Sequence, residues 1–395
     1  MKGSIMKADF NKRLVIAGMS AAVLVAPSAN ALEIQAGDWK FSMSGYVNAH
    51  AVSVDCDDSG NTVAGNALLC TGDDAASVSN GYSPASFNFG ASTNKEGYDI
   101  SANIAIEPGT TDNAAFNGNG DGEAYRAYFT IGNEDMGTVK AGRDYGVFGI
   151  DVILQDMSLA SVGAPASVKS PLNTSLGGAG YGYIFTDRLS QITYSTKSSS
   201  GLSGAIGIFQ PLDLVQFGGG GFVGDSGSKQ PGIHGKVRFD HGAGFISSTF
   251  LTQSVSNGAA DYTAKAIDLT ATVNFGSTSL AASAFKAEGV GYYGLFIDAA
   301  DASGNARDTD GWFVQATHTI GDTKLGINHG VSSVDMGAAD STSLVKSEQK
   351  TTAGVYHSWV PGVTVSAEYS VIKAKSHASQ EIENNALSVG LSMAF

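Results

Sequence analysis

No run in this chain approaches the roughly 20 consecutive apolar residues that a membrane-crossing helix needs. The most apolar stretch, Leu14 to Pro27, is too short. Basic residues are scarce as well: 23 Lys plus Arg stand against 37 Asp plus Glu, and such a polyanion is a poor nucleic-acid partner. The seven histidines, at 50, 234, 241, 318, 329, 357 and 377, are scattered along the chain and show none of the paired spacing of a helical metal site. No nucleophile elbow, phosphate-cradling glycine loop or dinucleotide fingerprint occurs. The run Gly218 to Gly221 lacks the Lys and the helix that a phosphate loop requires.

What is present begins with an export signal. Met1 to Arg13 carry Lys2, Lys7, Lys12 and Arg13 against a single Asp9, and Leu14 to Pro27 then lead into Ser28-Ala29-Asn30-Ala31. A basic n-region, a short apolar core and a small-x-small site make a secretory signal. Cleavage after Ala31 is expected, which makes residues 1–31 a signal peptide and residues 32–395 the mature domain. Removing four bases and one acid from the totals leaves 19 Lys plus Arg against 36 Asp plus Glu, a net of −17. The only two cysteines, Cys56 and Cys70, share one early polar stretch. In an oxidising compartment the expected outcome is a local disulfide closing a loop of about 15 residues, worth on the order of 3 kcal/mol on chain-entropy grounds. A metal site or nucleophilic thiol pair would want a neighbouring His, which is lacking.

The mature chain reads as all-β. From Asn384 to Phe395, Leu387, Val389, Leu391, Met393 and Phe395 fall on one parity, with Ser388, Gly390, Ser392 and Ala394 on the other. Side chains alternate faces with period two, so this strand has one greasy face and one small, polar face, as in a barrel wall between lipid and a wet interior. The 51 glycines, 8 prolines and near-zero mean hydropathy are odd for a large soluble core. They are expected of a transmembrane barrel, whose two faces cancel in a hydropathy sum.

Seven short gaps rich in Gly, Asp, Asn and Pro read as hairpin turns, at 94–97, 133–137, 197–201, 240–244, 276–278, 321–322 and 361–362. Long polar connections separate them at about 51–83, 107–122, 145–180, 211–230, 254–261, 287–310, 333–347 and 375–383. Seven turns and eight loops predict sixteen strands with the long loops on one side, and a sheet that large must close or split. The parity of Tyr98, Ile100, Ala102, Ile104 and Ile106 is expected to face outward, as is that of Ile233, Gly235, Val237 and Phe239, which leaves Lys236, Arg238 and Asp240 inside. Ile267 and Val363 open further alternating runs, with Asp268 and Glu368 inward. Gly244 to Ser254 and Leu202 to Gln210 carry apolar residues on both parities and fit less well. Trp39, Tyr98, Tyr125, Trp312 and Trp359 fall near predicted strand ends, where a membrane girdle places aromatics.

Three stretches carry a family resemblance: Trp39-Lys40-Phe41-Ser42-Met43-Ser44-Gly45-Tyr46-Val47, Met136-Gly137-Thr138-Val139-Lys140-Ala141-Gly142-Arg143-Asp144-Tyr145, and the last strand ending in Phe395. In this order, behind a signal peptide, they resemble the general porins of the Gram-negative outer membrane, sixteen-stranded barrels that are typically homotrimers. The resemblance implies a transmembrane antiparallel β-barrel whose third loop folds inward and narrows the pore, with acidic loop residues facing basic wall residues. Here that loop is residues 145–180, and Asp151 and Asp156 are its acidic candidates. Arg126 and Lys140 face inward by parity. Arg143 and Arg188 match the family's basic positions, although parity puts Arg143 outside unless the strand bends or bulges there. Opposite charges across a narrow wet gap would filter solutes by size and polarity. The loop is poorer in acids than is usual in the family, which leaves a more apolar slot as the alternative.

The expected function is passive diffusion of small hydrophilic solutes and ions through a homotrimer set among outer-membrane lipid and lipopolysaccharide, with weak cation selectivity and no nucleic-acid partner or cofactor. Asp55, Asp57, Asp58, Asp73 and Asp74 crowd the first loop and are candidates for a Ca²⁺ or Mg²⁺ site, without the spacing of a dedicated calcium loop. The alternatives are a substrate-selective channel and, in another class, a secreted adhesive or lectin-like β protein. A Ser, His and acid triad gathered from distant strands leaves no spacing signature, and sixteen strands exceed what such an enzyme barrel requires.

Overall fold

The computed structural model describes residues 32–60, 62–66, 70, 72–108, 123–169, 171–216 and 221–395. Residues 1–31, where the signal peptide is expected, most of the connection at 107–122 and Gly218 to Gly220 lie outside the described residues. The strands are β1 (Leu32–Ala36), β2 (Trp39–Asp55), β3 (Ala75–Ser79), β4 (Ser86–Lys95), β5 (Tyr98–Pro108), β6 (Glu123–Asn133) and β7 (Gly137–Tyr145). One helical turn, α1 (Ile150–Ile153), and a 3-10 turn (Met157–Ala160) follow. The wall resumes with β8 (Arg188–Ser195), β9 (Leu202–Phe209), β10 (Gly232–His241), β11 (Gly244–Ser256), β12 (Asp261–Phe275), β13 (Thr278–Glu288), β14 (Asp308–Ile320), β15 (Thr323–Val334), β16 (Val345–Val360), β17 (Val363–Ser376) and β18 (Glu381–Ala394).

Each long strand pairs antiparallel with its sequence neighbour, and β18 closes the ring on β2 with Asn385 opposite Asp55 and Ala394 opposite Tyr46. Sixteen strands, β2 and β4 to β18, form the closed wall. The two short ones, β1 and β3, are fragments laid along β2. All seven predicted turns join consecutive strands. In the first of them Glu96 and Gly97 both adopt positive φ, 52° and 83°, the conformation whose twist matches a tight hairpin. Among the described residues no helix is long and apolar enough to cross a membrane; the wall crosses with strands.

The outer face is apolar and the inner face polar, the reverse of a soluble sandwich. Ile104, Ile192, Ile206, Ile267, Leu269, Leu387 and Leu391 are exposed, while His234, Thr249, Asp268, Gln315, Asn328, Thr352, Glu368 and Ser388 are buried inside. A bilayer supplies the missing apolar solvent for the first set. The mixed parity of β9 and β11 has a physical cause. Inward Phe209, Phe245 and Leu251 meet residues from loops folded inside the upper barrel, such as Phe148, Ile184, Leu214 and Phe296, so the interior there is an apolar core. Connections are shorter than expected in places: β11 runs to Ser256 and β12 starts at Asp261.

The predicted loop 51–83 is divided. Its middle carries the Cys56–Cys70 disulfide, and its end returns to the wall as β3. Residues 80–85 then leave the sheet and dip into the barrel before β4 resumes pairing with β2. The Asn48 side chain fills the gap in the ladder, accepting from Gly81 N at 2.7 Å and donating to Ser83 O at 2.7 Å. Position 81 must be glycine, because a Cβ there would sit 2.1 Å from Ser161 O, the atom that receives Tyr82 N at 2.7 Å.

Candidate functional site

The connection between β7 and β8 folds inside the ring and is held there by hydrogen bonds from several wall strands. Gly149 N donates to Thr249 Oγ1 at 3.1 Å, and Met157 N to Gln315 Oε1 at 2.8 Å. Val162 N and Gly163 N both donate to Glu368 Oε2, at 3.0 and 2.7 Å. An inward loop exposes backbone amides to a closed space, and each needs such a partner. The inward third loop implied by the family resemblance is therefore present, pinned by polar side chains whose inward direction the strand parity dictates.

Three of the four predicted basic residues meet at one place on the wall. Arg126 of β6 donates from Nε to Glu107 Oε1 and from Nη2 to Asn88 Oδ1, both at 2.8 Å. Arg188, at the start of β8, donates from Nε to the other oxygen of Glu107, from Nη1 to Asp187, and from Nη2 to Tyr145 Oη at 3.1 Å. Both guanidinium groups lie near the Tyr145 ring, at 5.1 and 4.8 Å from its centre, where the ring quadrupole attracts cations. Lys140 Nζ reaches Asp144 Oδ2 at 2.7 Å. Arg143 does not join them. The β6–β7 register stays regular, with Ala127 opposite Arg143, so parity prevails: Arg143 stays on the outer face, stacked over Tyr125 at 5.1 Å with Nε donating to Tyr125 O. The bend that the resemblance demanded falls two residues later, where Tyr145 turns inward.

The acidic candidates are also placed differently from the expectation. Asp151 is 1 % exposed and faces β10, accepting from Lys236 Nζ at 3.3 Å and Arg238 Nη1 at 3.0 Å. Asp156 is 3 % exposed; it caps the 3-10 turn through Ser158 N at 2.9 Å and accepts from Tyr183 Oη at 2.6 Å and Asn328 Nδ2 at 3.3 Å. Both acids serve to hold the loop, and neither faces the Arg126 and Arg188 pair. The acids that do are Glu107, Asp144 and Asp187. Parity in β5 and β7 already puts Glu107 and Asp144 inside, while Asp187, in a loop with φ of 53°, has no periodic signal. Opposite the basic cluster the loop presents Ile150, Leu154 and Leu159, the more apolar slot that the scarcity of loop acids allowed.

Two of the five first-loop acids are engaged with backbone. Asp57 accepts from Ser59 N at 2.6 Å and Glu383 N at 3.0 Å, and Asp74 accepts from Cys56 N at 3.1 Å. Among the described residues no three His, Cys, Asp or Glu side chains converge as a metal site would require. The bridged loop reaches inward, and its Gly65 carbonyl accepts from Tyr292 Oη at 2.8 Å and Tyr293 Oη at 3.1 Å. Those tyrosines belong to the segment between β13 and β14, which also folds into the barrel and which the sequence patterning did not single out.

Three comparisons bear on this geometry. A family model described as Gram-negative porin matches residues 18–377. Comparison of the sequence with curated proteins returns no match. Among solved structures, the outer membrane channel DcaP of Acinetobacter baumannii aligns with a TM-score of 0.69 at 14 % identity, covering 91 % of this chain and 99 % of that one. An anion-selective porin from Comamonas acidovorans aligns with a TM-score of 0.63 at 16 % identity, over 90 % and 100 % of the two chains. OmpT of Vibrio cholerae, in a trimer form, aligns with a TM-score of 0.55 at 13 % identity, over 90 % and 99 %.

Proposed function

The chain belongs to the Gram-negative porin family and lies in the outer membrane as a channel, and on that footing we propose that it is a homotrimeric diffusion pore for small hydrophilic solutes and ions with a weak preference for cations. The observation that carries the ion preference is charge cancellation in the narrow zone. Arg126, Lys140 and Arg188 are equalled in number by Glu107, Asp144 and Asp187, so this cluster carries no net formal charge to favour either sign of ion. The sign then falls to the mouth, where a mature charge of −17 enriches cations within a Debye length of about 8 Å at physiological salt. At 16 % identity the likeness to the Comamonas porin concerns the fold alone and sets no sign here. The trimer is supported by the family and by the solved trimer form of Vibrio OmpT.

The test is a reversal potential in planar bilayers under a salt gradient. We expect a small potential of cation-selective sign that shrinks as both salt concentrations rise; a clear anion-selective potential overturns the proposal. A second reading, a channel with a preferred solute, is favoured by the apolar side of the slot.

A further inference from the structure

Beside the third loop lies a cavity of about 150 Å³, and its lining is divided by chemistry. On one side stand Ile150, Leu154 and Leu159 of the third loop together with Leu295 from the segment between β13 and β14. All four are only half-buried, so their remaining apolar surface faces the lumen. On the other side stand Tyr145, Arg188, Glu107 and Asp187. We propose that this slot binds flat amphipathic solutes that carry no negative charge, such as an aromatic ring bearing a hydroxyl and an ammonium group. The proposal rests on the pore reading above and names the solute class that pore prefers.

Size, wetting and charge all point the same way. An apolar cavity near 150 Å³ accommodates a benzene-sized ring. A fully hydrated sugar or ion gains nothing beside Leu154 and Leu295, whereas a ring edge removes their surface from water. Three of the five N–H donors of Arg188 are already taken, Nε by Glu107, Nη1 by Asp187 and Nη2 by Tyr145, and two of those partners are carboxylates. An entering anion therefore meets a guanidinium whose charge two carboxylates already offset, and is repelled by both of them. An entering ammonium group instead meets Asp187, whose side chain keeps 13 % exposure against 2 % for Glu107.

The experiment is single-channel recording of the purified protein in planar bilayers with three probes at equal concentration: tyramine, 4-hydroxyphenylacetate, which has the same ring but a negative charge, and ethanolamine, which has the ammonium but no ring. Tyramine is expected to interrupt the current with an affinity roughly tenfold above either of the others, the ring and the charge each contributing. Leu154→Ser and Leu295→Ser, on two different segments, are each expected to weaken the tyramine block severalfold and to leave the ethanolamine block little changed. Equal block by all three probes, or strongest block by the anion, overturns this inference while the pore reading stands. If the protein forms no channels, the pore reading fails first and takes this one with it.

Discussion

Glu107 accepts from Arg126 with one carboxylate oxygen and from Arg188 with the other, so Glu107→Ala takes one charged partner from each of two buried guanidinium groups and leaves Arg188 with Asp187 and Arg126 with the more distant Asp144. Breaking a buried ion pair from one side costs about 3–5 kcal/mol. We expect the variant to lose its heat-resistant oligomer at lower temperature and to shift its reversal potential toward anions. Arg126→Ala removes the opposite charge and is expected to shift the potential toward cations; an unchanged potential would mean that Arg126 is not sensed by passing ions. Outside the membrane, Asp57 gives a pH dependence. Hydrogen bonds from the Ser59 side chain, then the Ser59 and Glu383 amides, hold its carboxyl below the usual carboxylate range. A depressed folded pKa stabilises the carboxylate contact above the unfolded value of about 3.9 and loses that contribution as pH falls through the folded value. The tie between the first loop and β18 should therefore persist at pH 5. Hydrogen exchange should show the Glu383 amide released only in stronger acid. At this scale the inward placement of Arg126 and Lys140 follows from parity, and the position of Arg188 at the start of β8 from the family pattern. Arg143 departs from the family pattern because the β6–β7 register stays regular, and Asp187 has no sequence signal because it sits on a turn without period.

The third loop depends more on its anchors than on its own short helical turns, which are one turn each and could not stand alone. Glu368 is the anchor with two backbone donors, Val162 N and Gly163 N. Glu368→Ala leaves both amides buried without that acceptor, at about 1–3 kcal/mol each. Larger open-channel noise and a higher mean conductance are expected in single-channel records, and a record as quiet as the wild type would mean that the loop is held elsewhere. Alternating strands and tight turns were readable at this scale because lipid outside and polar groups inside enforce period two. The inward segments were not, since a loop packed inside a barrel carries apolar residues without a period. That is why β9 and β11 looked irregular, and why residues 80–85 and the segment bearing Tyr292, Tyr293 and Leu295 passed for ordinary loops.

As a whole the protein presents lipid with an apolar belt and carries Trp39, Tyr98 and Trp359 exposed near the short-turn rim. We expect it to fractionate with outer membrane, to require detergent, and to run as a heat-modifiable oligomer; a mature chain that stays soluble and monomeric without detergent contradicts the barrel outright. The sixteen-strand count was legible because turns and loops alternate so regularly, while the split of one wall strand into β3 and β4 was hidden inside a polar stretch. The position of the disulfide also favours an order in time. Cys56 and Cys70 are 2 % and 1 % exposed and belong to the same buried apolar cluster as Leu344, Val345, Ile372, Ile382 and Ala386, residues contributed by the last part of the chain to emerge. Once β16, β17 and β18 have wrapped round to meet β2, both sulfurs are buried away from a macromolecular oxidase. Burial of both sulfurs favours making the cross-link while the chain is still open, so a strain lacking its oxidising machinery should deliver barrels enriched in the free-thiol form, read by thiol labelling after denaturation; full oxidation in that strain would show that the closed barrel still admits an oxidant.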